Sequence, residues 1–85
     1  MRVEKSERFS RDYRALPASV RRQTDRKLLY LAESISHPSL RVKHVRGREG
    51  VFEGSVNMSY RFLFRVTDDG YVLLRIGRHS ILDRP

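Results

Sequence analysis

The spacing of the apolar residues changes once along this chain, at Pro38, and that change limits its possible folds more than any other feature. Before it, Phe9, Tyr13 and Leu16 recur at spacings of four and three. Val20, Thr24, Leu28, Leu31 and Ile35 follow at four, four, three and four. Both sets draw one stripe along a helix. After it, Tyr60, Phe62, Phe64 and Val66 alternate with Arg61, Leu63 and Arg65, the two-residue period of a strand with one buried face. Helices first and strands later make an α+β chain.

Local signals set the boundaries. Residues 2–5 read as a short edge strand. Ser6 suits a helix N-cap, with Glu7 placed for the helix dipole. Pro17 interrupts the first helix and opens a second, which ends before His37-Pro38. Arg21, Arg22, Asp25 and Arg26 lie on the second helix's polar face. Strands are expected at 51–56, 60–66 and 71–77, with Asp69-Gly70 in the turn between the last two. The tail, 78–85, has the composition of one short helical turn. The predicted fold is an N-terminal strand and a helical hairpin on one face of an antiparallel sheet of about four strands, a single domain over 1–85.

Composition narrows the function classes. The sequence has no cysteine, which excludes a disulfide framework, a Cys-based zinc site and a thiol nucleophile and fits a reducing compartment. Three His at 37, 44 and 79 lack metal-site spacing, so neither a metal nor a cofactor is expected. The longest apolar run, Leu28 to Ala32, is five residues, against ~20 for a membrane span. No apolar signal segment follows Met1, and the expected location is the cytoplasm. The net charge is +8, and Arg outnumbers Lys fifteen to three. Such a domain attracts polyanions, and the guanidinium fork matches phosphate in bidentate fashion. Lys43, His44, Arg46 and Arg48 cluster without an acid among them. With Arg75 and Arg78 they form the candidate RNA-binding set.

Alternation also sorts the polar side chains. Counting by twos from Arg61 gives Ser59, Asn57, Ser55 and Glu53, and from Arg75 it gives Gly77 and His79. Without an intervening bulge, Glu53, Ser55, Arg61, Arg75 and His79 share the helix-free face of the sheet, beside Lys43 and His44. Internal RNA cleavage needs a base for the 2′-hydroxyl, an acid for the leaving 5′-oxygen and cations for the phosphoryl oxygens. Glu53, His79 and Arg61 can fill these roles without a metal. Each also has an ordinary reading: Glu53 as the partner of Lys43 or Arg61, Arg61 and Arg75 as surface or structural cations, His79 as a solvated side chain.

The early strand, the helical hairpin, Pro38-Ser39-Leu40-Arg41-Val42-Lys43, Phe52-Glu53-Gly54, Tyr60-Arg61-Phe62 and Ile76-Gly77-Arg78-His79 occur in an order that resembles the RelE/ParE toxin superfamily of toxin–antitoxin systems. The resemblance spans nearly the whole chain. It implies a nuclease that cuts mRNA in the ribosomal A site, blocks translation and is silenced by a tightly bound antitoxin. It implies that Arg61 stands where the family has its transition-state arginine. His79 stands where some members carry a catalytic His and others an Arg, and Lys43 lies near a basic position used on substrate. Glu53 resembles a carboxylate of the branch with Pro-Ser-Leu and Gly-x-His motifs. Departures are visible too. Phe52-Glu53-Gly54-Ser55 replaces a strand that carries lysines in RelE, Ser55 replaces an arginine of YoeB-like members, and Asp83-Arg84-Pro85 holds no aromatic to stack on a base. Two other functions stay open on the same fold: a gyrase inhibitor of the ParE kind, and a non-catalytic module that binds RNA or an antitoxin.

Overall fold

The computed structural model describes residues 2–82. Strand β1 (Arg2–Lys5) leads into helices α1 (Glu7–Arg14) and α2 (Ala18–Glu33). Strands β2 (Lys43–His44), β3 (Phe52–Ser55), β4 (Tyr60–Thr67) and β5 (Gly70–Arg78) follow, with 3-10 turns at Pro38–Leu40 and His79–Leu82. The turn expected in the tail therefore exists. Its continuation through 83–85, including the stretch without an aromatic, lies outside the described residues.

Ser6 caps α1 as its type predicts: its Oγ accepts the Phe9 N–H at 3.0 Å. The same hydroxyl donates to the Leu74 carbonyl at 3.0 Å, so the cap also ties α1 to β5. Leu16 is buried but lies past the end of α1, and Pro17 is the N-cap of α2 rather than its first residue. Val20, Thr24 and Leu31 are the buried stripe of α2. Thr24 satisfies its hydroxyl by donating to the Val20 carbonyl at 2.8 Å, which makes a polar group tolerable in the core.

The sheet has five strands in the order β1-β5-β4-β3-β2. It is mixed, which corrects the antiparallel sheet of about four strands. β2 to β5 form an antiparallel meander, whereas β1 runs parallel to β5. The helices carry the chain from β1 at one edge to β2 at the other, and the meander returns to β1 in the same direction. Phe9, Leu16, Val20, Leu31, Phe62, Phe64, Leu73 and Ile76 join in the main core between helices and sheet. The Phe62 ring lies over Gly54, where an added Cβ would come within 2.3 Å of it. Val66 has the right parity for this face but is 51% exposed, because it lies beyond the cover of the helices.

The helix-free face carries a small core of its own. Leu63 is fully buried there in a small cluster with Val45, Val51 and Ile81, joined by Leu74 and Leu82. No helix of the described residues is long and apolar enough to cross a membrane.

Candidate functional site

Cross-strand partners point to the same side of a sheet. Lys43 pairs with Glu53, Glu53 with Leu63 and Leu63 with Arg75. The next row of that face is Ser55, Arg61 and Gly77. A surface cleft of about 450 Å³ opens at this end, lined by Lys43, His44, Val45, Arg46, Glu53, His79 and Leu82. It joins residues 36 positions apart in sequence (79 − 43), and it holds five of the expected site residues.

Glu53 anchors the cleft. It is only 4% exposed, and its ion pair with Lys43 is 3.5 Å long. That lysine is 70% exposed at its side chain. A carboxylate held out of water against one flexible cation is an expensive way to build a strand. Such an arrangement is more economical as a site than as a stabilising pair.

His79 reaches the cleft through a local device. Gly77 has no side chain, so the 3-10 turn His79–Leu82 folds back over the sheet and sets Ile81 against it. An added Cβ at Gly77 would come within 2.7 Å of Ile81 Cγ2. The His79 N–H then donates to the Ser59 carbonyl at 3.2 Å, tying the turn to the β3–β4 connection, and the imidazole remains exposed. Gly77→Val is expected to lift this turn, expose Leu63 and lower stability by about 1–3 kcal/mol, as overpacking does. A urea melt measures the loss, and an unshifted His79 imidazole resonance in the variant would contradict the proposed link.

Arg61 lies one row along, outside the cleft lining. Its Nη1 donates to the Tyr60 carbonyl at 3.0 Å and, by a short bond, to the Asn57 carbonyl. Ser55 Oγ donates to the same Asn57 carbonyl at 3.2 Å. The guanidinium therefore stands at the mouth of the β3–β4 turn with its remaining N–H groups available.

Three expected contacts go elsewhere. Arg75 is held by Asp12 of α1, Nε to Oδ2 at 2.8 Å and Nη2 to Oδ1 at 3.4 Å, and it does not line the cleft. Arg75 keeps the parity of Leu63, with which it pairs, and a β-bulge lies just before it, where Phe64 pairs with Leu73 and Leu74 is the extra residue. Arg78 pairs with Tyr60 and lies over its ring at 5.2 Å, on the helix side of the sheet and away from the cleft. His44 lines the cleft, but its ring meets Phe52 edge-on at 5.3 Å. Arg46 and Arg48 are exposed in the β2–β3 connection, and only Arg46 lines the cleft.

Sequence reasoning missed Asp12. Its spacing to Arg75 is 63 residues, and no local pattern announces it. It also missed the second cationic group described below, although Arg26 and Lys27 are adjacent in the sequence. Among the described residues no three His, Cys, Asp or Glu side chains are grouped to hold a metal ion.

No protein-family model and no curated protein matches the sequence. Solved structures do match. The RelB–RelE antitoxin–toxin complex from Methanococcus jannaschii is 18% identical, covers 95% of this chain and 96% of that one, and has a TM-score of 0.78. The YoeB/ParE toxin from Agrobacterium tumefaciens is 14% identical over 93% and 99%, with a TM-score of 0.79. The isolated RelE toxin from E. coli is 24% identical over 89% and 81%, with a TM-score of 0.71. The likeness covers both helices and the mixed sheet, and the chain has the fold of the RelE/ParE toxins.

Proposed function

We propose that this chain is the toxin of a type II toxin–antitoxin system and that it cleaves mRNA on the ribosome, blocking translation. The observation that carries this reading is the cleft, where a nearly buried Glu53 and an exposed His79 share one wall beside Lys43 and Arg46. Glu53 removes the proton of a ribose 2′-hydroxyl. The freed oxygen attacks the adjacent phosphorus and forms the 2′-O–P bond as the P–O5′ bond breaks. His79 gives its proton to the departing 5′-oxygen. The products are a 2′,3′-cyclic phosphate and a 5′-hydroxyl end. Lys43, Arg46 and Arg61 meet the charge that grows on the phosphoryl oxygens. The solved relatives in complex with an antitoxin, RelB–RelE and DinJ–YafQ, support a cognate antitoxin as the second partner.

The test is induced expression of wild type beside Glu53→Gln, His79→Ala and an Arg61→Ala/His79→Ala double variant, with growth and mapped RNA 5′-ends as readouts. Growth arrest with new ends inside coding sequence is expected for wild type alone. Each single variant should lose ~10²–10⁴-fold in cleavage, the range of one acid or base. Arrest without new RNA ends would move the target away from mRNA. Normal growth in wild type and variants alike would leave a binding module.

A further inference from the structure

A second cationic cleft lies on the helix side of the sheet. Gln23, Arg26, Lys27 and Tyr30 of α2, with Ser39 and Val56, line about 310 Å³. Lys27 Nζ donates to the Ser39 carbonyl at 3.0 Å, which fixes the ammonium at the edge of this space. Ser39 is itself held, its Oγ lying 2.9 Å from His37 Nδ1, and the His37 ring stacks on Tyr30 with centroids 4.0 Å apart. The frame is therefore built before any ligand arrives. Among the described residues none of Arg26, Lys27 and Arg41 has a carboxylate partner. The like charges oppose one another: burial first, then Arg26 and Arg41, pushes the Lys27 amine below its ordinary range. Three cations gathered on a rigid frame without a counter-charge leave that charge for a ligand to supply.

The β3–β4 turn joins this cleft to the first one. Asn57 Nδ2 donates to Gln23 Oε1 at 2.7 Å on the helix side. The carbonyl of the same residue accepts from Arg61, and that of Ser59, two residues on, accepts from the His79 backbone N–H. The β3–β4 turn therefore touches Gln23 of the second cleft and His79 of the first. We propose that the cleft formed by Arg26, Lys27 and Ser39, with Arg41 beside it, binds a backbone phosphate of RNA at a position separate from the bond that is cut. The choice of RNA rests on the nuclease reading above. The site touches no reacting atom. It sets where the strand is held, and it adds affinity that depends on salt.

The experiment is fluorescence anisotropy of the full chain with a labelled 2′-O-methyl oligoribonucleotide, which lacks the attacking hydroxyl and is not cut. Arg26→Gln/Arg41→Asn is the main variant. Asn is chosen because Arg41 has φ 48°, a left-handed conformation that Asn accepts well. Lys27→Gln is the second variant, since Gln keeps a donor for the Ser39 carbonyl. Thermal melting shows which variants fold. Each lost phosphate contact lowers the slope of log K against log salt by about 0.7 for a single strand. The double variant should lose the one phosphate contact, about 0.7 of slope, and bind at least tenfold more weakly at low salt. A loss below about 0.3 in the folded double variant, together with wild-type binding by Lys27→Gln, overturns the proposal. So does a double variant that fails to bind poly-L-glutamate yet keeps the wild-type slope on RNA, since the surface then serves an acidic polypeptide. Cleavage of unmodified mRNA is followed in parallel. A chain that cuts nothing but shows the slope loss keeps this site and loses the nuclease reading. A chain that cuts normally with unchanged slopes does the reverse.

Discussion

Arg61→Ala is expected to lower RNA cleavage by ~10²–10³-fold, about 2.7–4 kcal/mol of transition-state stabilisation. Arg61 shares a row of the sheet face with Ser55 and Gly77, next to the row of Lys43 and Glu53. A guanidinium there offers two parallel N–H groups to a phosphoryl group whose charge rises during attack. The variant also removes two bonds to the Asn57 and Tyr60 carbonyls, and the turn should weaken by about 1–2 kcal/mol. These two effects are separable. A melt at the assay temperature gives the folded fraction, and the rate is then corrected to folded protein. Arg61→Lys keeps a positive charge without the fork, and it should recover only part of the rate. Wild-type cleavage by a folded Arg61→Ala protein would remove Arg61 from the site. A loss fully accounted for by unfolding would leave it with the turn alone.

The parts of this molecule that depend on neighbouring residues were legible in the sequence. The Ser6 cap of α1 needs only the Phe9 N–H three residues on, and alternation from Tyr60 to Phe64 fixed which side of β4 is core. The failures share one cause, contacts between residues far apart in the chain. Counting by twos gave Arg75 the parity of Leu63, which the register keeps, but Asp12 of α1, 63 residues away, holds its guanidinium. The same method placed Leu63 beside Arg61 on an open face. It had no means to show that Val45, Val51 and Ile81 would close over it, since their contact depends on two loops folding back. The direction of β1 was equally hidden, because a four-residue strand reads the same in either orientation. Glu53 and His79 were brought together correctly, and the reason is physical: the parity of β3 survives to β4, and Gly77 turns the chain back at a point the motif already marked.

Asp12→Ala should be the most destabilising single change at a polar residue here, by about 3 kcal/mol, because it removes a carboxylate that accepts from both the Arg75 guanidinium and the Ile76 N–H. β1 ends at Lys5, opposite Leu73, and the edge of β5 beyond it would otherwise lie unpaired. Ser6 begins the repair by donating to the carbonyls of Leu73 and Leu74. Asp12 continues it, since its Oδ2 accepts both the Ile76 N–H at 3.1 Å and Arg75 Nε at 2.8 Å. Side-chain exposures of 15% and 16% for Arg75 and Asp12 leave little water to replace these bonds. Arg8 contributes a third contact at 3.9 Å, but its side chain is 57% exposed and the pair is weak. Asp12→Asn keeps an acceptor for Ile76 without the charge, and should lose about half as much. In Asp12→Ala/Arg75→Met both ends of the pair are gone, so the double variant should be more stable than the sum of the two single losses predicts, by about 1–2 kcal/mol. Urea melts of the four proteins give the cycle. Strict additivity would show that the pair stabilises nothing, and an Asp12→Ala loss within about 0.5 kcal/mol would place it among ordinary surface changes. Full coupling would mean that the arginine assigned to RNA by strand parity is spent in holding α1 against the strand that leads into His79.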